Sequence, residues 1–267
     1  MTKIIKFFFQ CFFTLSVRCV CKHWNTFISN PNFAKLLFTY TFPAIMIRPF
    51  HSRIFHLVEY DQIEWRKRRN NPFVFEVLDP NSNSSIKLDP KFEIPLPNSK
   101  SIQGTRVYVD VLSCNGLFYL SGAKYRNISL VCNPITGEFI KLPKNPSILK
   151  LCKKICWGFG FHPKTNQYKV MRIHIFEHDH SMVVEMHTVG TSTWINIEVD
   201  YPKYLINLYN YCTYLNGALH WTGKDVDENV SIWAFNFDTE RFQSFSIAPR
   251  DRDTKLTLFE FRGSLIF

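Results

Sequence analysis

"SLVCNPITGEFIKL" (129–142) is the stretch whose reading decides the fold. An apolar run ends at Cys132, a turn of Asn, Pro, Thr and Gly follows, and apolar residues restart at Phe139. Apolar residues on both sides of such a turn read as a two-stranded hairpin. The same pattern returns in "FEVLDPNSNSSIKL" (75–88), "VEMHTVGTSTWINI" (184–197) and "WAFNFDTERFQSF" (233–245).

A second kind of hairpin lies between these. "LSCNGLFYL" (112–120), "TYLNGALHW" (213–221) and "FEFRGSLIF" (259–267) carry Asn-Gly or Arg-Gly between apolar residues. Asn and Gly both tolerate the positive φ that a tight type I′ turn demands. "CWGFGFHPKTNQYKVMRI" (156–173) fills the equivalent slot with a longer turn. The two Asn-Gly pairs, at 115 and 216, stand 101 residues apart with one further unit between them. The repeat is therefore about fifty residues and four strands, the size of a kelch-type propeller blade.

Units start near 45, 106, 155, 208 and 256, which gives four blades and half of a fifth. The fold class expected is mainly β: a partial, open, kelch-like β-propeller of antiparallel four-stranded blades behind a short α-helical segment. The domain division is 1–44, helical with an apolar leader, and 45–267, propeller-like and truncated at its carboxyl end. An unfinished last blade leaves an unpaired edge and an open apolar face.

Composition sets the outer limits. A chain of 267 residues with 46% hydrophobic and 16% aromatic content can bury a real core and is not of the disordered class. The net charge of +10 fits an acidic partner or a basic solvated exterior. The run "WRKRRNN" (65–71) reads either as a localisation or nucleic-acid patch or as a solvated loop. Eight cysteines lie scattered without paired spacing, so no zinc ligand set emerges and reduced thiols are expected. "MTKIIKFFFQCFFTLSV" (1–17) has the charge and apolar run of a signal peptide, yet Gln10 interrupts it and no small-residue cleavage site follows.

The segment "VRCVCKHWNTFISNPNFAKLLF" (17–38) has helical spacing, with Val17, Val20, Trp24, Phe27 and Ile28 on one apolar face. Arg18–Lys22, Trp24, Ile28, Ser29, Pro31 and Phe33 resemble the second half of an F-box. Downstream, "CNGLFYL", "CNPITGEFIKLP", "GFGFHPKTNQYKV", "LNGALHW" and "AFNFDTERF" resemble, in order, the F-box-associated domain of plant F-box proteins. The two resemblances cover residues 17 to 267. They imply a non-catalytic substrate receptor of a Skp–cullin–F-box ubiquitin ligase, and the reduced thiols fit the nucleus or cytoplasm. They further imply an adaptor contact at Val17, Val20, Trp24 and Phe33, for which packing of a helical hairpin is the plain alternative. The Leu-Pro-x-Asp/Glu opening of the family's F-box does not precede Val17, which leaves open an interaction module uncoupled from the ligase.

In a four-stranded meander the first and third turns share one end and the middle loop takes the other. The middle loops read as "DQIEWRKRRNN" (61–71), "SGAKYRN" (121–127), "EHDHS" (177–181) and "TGKDVDEN" (222–229). Their net charges are +2, +2, −2 and −2. Arg66, Lys67, Arg68, Arg69, Lys124 and Arg126 would form a basic half of a partner-binding face. Asp179, Asp225 and Asp227 would form the acidic half. Loops polar only because they meet water explain the same letters.

Other chemistry was sought and set aside. His174, His178, Asp179, His180 and His187 invite a metal, but adjacent strand residues point apart and a solvated turn accounts for them. No Walker loop, dinucleotide fingerprint or G-x-S-x-G elbow occurs. A copper enzyme of the kelch-oxidase sort is the remaining enzymatic rival. No cofactor, metal, nucleic acid or membrane partner is expected; the expected partners are the Skp-type adaptor, the cullin scaffold and a protein substrate.

Overall fold

The computed structural model describes residues 3–8, 43–48, 54–59, 64–67, 75–78, 90–93, 110–122, 129–134, 137–143, 152–176, 181–199, 212–224, 229–246, 257–261 and 263–266. These residues form strands and the turns between them, with no helix among them. The chain divides into two compact units, residues 1–109 with 133–138, and residues 110–132 with 139–267.

In the first unit the strands are β1 (Lys3–Phe8), β2 (Pro43–Arg48), β3 (Ile54–Glu59), β4 (Glu64–Lys67), β5 (Phe75–Leu78) and β6 (Pro90–Glu93). One sheet has the order β1-β2-β3-β6, and β4 pairs with β5 alone. Two strand pairings in this unit are not legible in the sequence, and residues 79–88, the rest of the expected 75–88 hairpin, lie outside the described residues. Phe75–Leu78 pairs backwards onto Glu64–Lys67, with Arg66 opposite Glu76, so its described partner precedes it in the chain. The leader residues Lys3–Phe8 form a strand beside Pro43–Arg48, across the expected boundary at residue 44. The helical segment expected at 17–38 lies outside the described residues.

The second unit follows the repeat. β7 (Asp110–Cys114), β8 (Leu117–Ser121), β9 (Ser129–Cys132) and β10 (Phe139–Lys141) form one four-stranded sheet. The next is β11 (Cys152–His162), β12 (Gln167–Phe176), β13 (Met182–Thr188) and β14 (Ile195–Ile197). The third is β15 (Cys212–Leu215), β16 (Ala218–Lys224), β17 (Val230–Asn236) and β18 (Arg241–Ser246), followed by the pair β19 (Phe259–Phe261) and β20 (Ser264–Ile266). Every pairing is antiparallel between neighbours in the chain, as the hairpin spacing predicts.

Turn chemistry explains the short connections. Asn115 and Gly116 have φ of 45° and 83°, and Asn216 and Gly217 have 48° and 80°, the left-handed pair a two-residue hairpin turn needs. Leu112 faces Tyr119 across the first of these hairpins, and Thr213 faces His220 across the second.

Successive sheets pack face to face. Leu112, Cys114, Tyr119 and Val131 meet Trp157, Phe159 and Val170 of the following sheet. On the other face of that sheet, Met171, Ile173, Val184 and Met186 meet Leu219, Trp221, Trp233 and Phe235. The "GFGF" stretch makes room for this contact. A Cβ on Gly158 would lie 2.5 Å from Leu219 Cδ1. One on Gly160 would lie 2.7 Å from both Phe237 Cε2 and Tyr214 Cδ2. Side chains of the next sheet, rather than backbone, occupy the space the glycines leave.

Candidate protein-recognition face

Because each sheet is a meander, its first and third turns emerge at one end. At that end the β11–β12 turn and the β17–β18 turn are tied together across two sheets. His162 closes β11, and its Nε2 donates to Asp238 Oδ1 over 2.7 Å. Its Nδ1 accepts from the Thr165 hydroxyl at 3.0 Å, so a single neutral tautomer satisfies both bonds. Lys164 Nζ reaches Asp238 Oδ2 at 3.1 Å. The Asp238 and Thr239 amides donate to Asn236 Oδ1, an Asx turn that fixes the carboxylate's position. The Asp238 carboxyl is held below the usual carboxylate range, chiefly by the His162 hydrogen bond and then by Lys164.

The neighbouring β15–β16 turn is locked as well. The Gly217 amide donates to the Tyr214 hydroxyl at 3.1 Å, and the Phe237 amide donates to the Gly217 carbonyl at 3.1 Å. Carboxylate, imidazole and hydroxyl in a row is also how hydrolases activate a nucleophile. Here Thr165 is the imidazole's near neighbour on an open turn, and the row serves to hold two turns in fixed register. Two turns of neighbouring sheets are thereby joined through polar side chains.

A second polar assembly is buried between the sheets of β7–β10 and β11–β14. Arg172 donates to Ser129 Oγ at 3.3 Å, and Ser129 Oγ shares a 3.1 Å bond with the Tyr119 hydroxyl. The guanidinium lies 3.5 Å from the Trp194 ring centroid and 5.1 Å from that of Trp157, a cation–π sandwich. His174 Nε2 bonds Glu185 Oε2 at 2.7 Å, both side chains fully enclosed. Trp194 Nε1 donates to the Pro143 carbonyl at 2.8 Å, and His187 Nδ1 donates to the Thr193 carbonyl at 2.8 Å. Burial pulls His187 below the ordinary imidazole value. This corrects the solvated-turn reading of His174 and His187, which are interior strand residues. The alternation of β12 and β13 turns Arg172, His174, Glu185 and His187 to the same face. Among the described residues no three His, Cys, Asp or Glu side chains group as metal ligands.

Residues 63–266 match the family model described as the F-box associated beta propeller domain. The chain belongs to this family. Among similar curated proteins of Arabidopsis thaliana, F-box protein At2g23160 is 25% identical over 245 residues, covering 86% of this chain and 73% of its own length. F-box protein At3g49450 is 26% identical over 255 residues, covering 93% of this chain and 58% of its own length. F-box protein At1g47340 is 26% identical over 244 residues, covering 85% of this chain and 48% of its own length. The chain thus spans about half to three-quarters of the length of these relatives, and it is a plant-type F-box protein with an F-box associated domain.

Within this F-box associated domain, the structure places few of the residues singled out from sequence. Arg66 and Lys67 lie in strand β4, not in a loop, because the run Glu64–Lys67 pairs with Phe75–Leu78. Arg68, Arg69, Lys124, Arg126, Asp179, Asp225 and Asp227 lie outside the described residues, as do Val17, Val20, Trp24 and Phe33. The His162–Asp238 tie went unread. Its signal was the His-Pro-Lys-Thr-Asn turn, and its partner stands 76 residues away.

Proposed function

We propose that the chain is the substrate-recognition subunit of a Skp–cullin–F-box ubiquitin ligase, residues 1–44 serving the adaptor and 45–267 the target. It performs no chemistry itself. The observation that carries the reading is the family match over residues 63–266, joined to a stack of sheets whose turn ends are rigidly tied. Rigid turns on a packed scaffold are the usual setting for recognition. On this reading Val17, Val20, Trp24 and Phe33 meet the adaptor. The charged residues Arg66 to Arg69, Lys124, Arg126, Asp179, Asp225 and Asp227 meet the target, and the protein works in the nucleus or cytoplasm.

A second reading, an interaction module without ligase coupling, is favoured by the strand pairing of Lys3–Phe8 with Pro43–Arg48. Co-purification with a Skp-type adaptor separates the two. Recovery of the adaptor with the native chain, and its loss with Trp24→Ala, supports the ligase subunit. A chain that captures a protein target yet no adaptor supports the uncoupled module.

A further inference from the structure

The polar assembly around Arg172 stands at the root of a middle loop. The connection between β8 and β9 leaves its sheet at Ser121 and returns at Ser129, and these two residues face each other across the strands. Both bond the same side chain. Ser129 Oγ lies 3.1 Å from the Tyr119 hydroxyl, and Ser121 is that hydroxyl's second partner. Arg172 arrives on β12 of the neighbouring sheet and donates to Ser129 Oγ at 3.3 Å. The loop therefore starts and ends on two serines, which a tyrosine of one sheet and an arginine of the next hold from below.

Arg172 is itself fixed by both sheets. Its guanidinium lies between the Trp157 and Trp194 rings, and Trp194 is bonded to the Pro143 carbonyl just beyond β10. Enclosing a guanidinium is costly, and packing alone is served as well by apolar side chains of similar volume. What an arginine adds is direction, because a planar fork held between two indoles points at one hydroxyl. The same strand then leads into the next middle loop: β12 ends at Phe176, whose amide donates to the Ser181 carbonyl at 3.0 Å across that loop's base. Arg172 thus ties the root of the loop of net charge +2 to the strand that carries the loop of net charge −2.

We propose that Arg172 is a positioning residue for target recognition: acting through Ser129, it sets the loop of Lys124 and Arg126 at a fixed offset from the loop of Asp179. The face so registered fits a protein partner whose own acidic and basic patches have the matching spacing. The inference rests on the reading of these loops as the target-binding face. Hydrogen exchange of the full chain, read at residues 122–128 and 177–181, tests it. Ser129→Ala should speed exchange at 122–128 about five-fold, the factor that one ordinary hydrogen bond is worth. Ser129→Thr keeps the hydroxyl and should restore the native rate. Arg172→Lys keeps the charge beside Glu185 without the planar fork, and should loosen 122–128 as Ser129→Ala does. Exchange at Asn115 and Gly116, in the turn at the other end of the same sheet, should stay native in all three variants. Native rates at 122–128 in both Ser129→Ala and Arg172→Lys overturn the proposal, as does a Ser129→Thr chain as loose as Ser129→Ala. Faster exchange spread evenly over the sheet, turn included, also overturns it, because that marks general support of the packing. These measurements use the chain alone, so the inference falls on loop exchange while the ligase reading falls on adaptor recovery.

Discussion

His162 and Asp238 join two sheets at their turn ends through a 2.7 Å hydrogen bond between residues 76 positions apart. The bond binds a half-exposed carboxylate to an enclosed imidazole, so its loss leaves the imidazole without its acceptor. Asp238→Ala should lower the melting temperature. It should also loosen both turns, read as faster amide exchange at Lys164 to Asn166 and Thr239. Unchanged exchange at both turns would remove the tie from any structural role.

The same carboxylate sets an acid limb. Its folded-state pKa is depressed below the ordinary value of about 3.8, first by His162 and then by Lys164. Its contribution is thus complete above that value and is lost as pH falls through the folded pKa. His187 and His220, lowered by burial, act at higher pH. Below the ordinary imidazole value of about 6.5 the unfolded chain takes up protons the folded chain refuses, so stability declines there. Melting temperatures across pH should show both limbs. Asp238→Asn should flatten the lower limb, and His187→Gln with His220→Gln the upper.

The glycines of "GFGF" should be irreplaceable. Gly160→Ala drives a methyl into two aromatic rings, and Gly158→Ala drives one into a leucine tip and Trp221. Overpacking of this kind costs about 1–3 kcal/mol. Gly160→Ala should be the worse, because rings give way less easily than a methyl end. Urea titration of the two variants checks the order.

Glu185 balances a buried cationic neighbourhood. Replacing it with Ala leaves His174 without its 2.7 Å partner and Arg172 without a nearby carboxylate. Leaving a buried polar group without its hydrogen-bond partner costs about 1–3 kcal/mol. A double-mutant cycle with His174→Ala should show a coupling clearly above zero; strict additivity would mean the two side chains act independently.

Buried thiols should resist alkylation. Burial pushes Cys132 up to about 12 and Cys156 up to about 11, and raises Cys114 further. Iodoacetamide at mildly alkaline pH should spare all three in the native chain and label them once it is unfolded. Peptide mass spectrometry reads the outcome directly.

The hairpins at 129–142, 184–197 and 233–245 and the Asn-Gly turns were legible because turn chemistry is local. A positive φ at Asn115 or Asn216 depends on that residue and its neighbour alone. What alternation does not specify is the partner, and the pairing of Phe75–Leu78 with Glu64–Lys67, inside a run that reads as a charged loop, carries no signal of its own. Polar letters inside strands were equally opaque. Arg172, His174 and Glu185 look like solvent-facing residues until a neighbouring sheet closes over them. The His162–Asp238 tie needs a contact between two separate repeats, which no single repeat records.

The order of strands in the second unit carries one more consequence. Each four-stranded sheet is closed by residues that leave the ribosome in succession, so none waits for a distant segment before it can zip together. Synthesis can therefore proceed sheet by sheet, every finished layer offering its successor a template. Vulnerability to misassembly is concentrated in the newest layer, whose apolar side stays bare until something arrives to shield it.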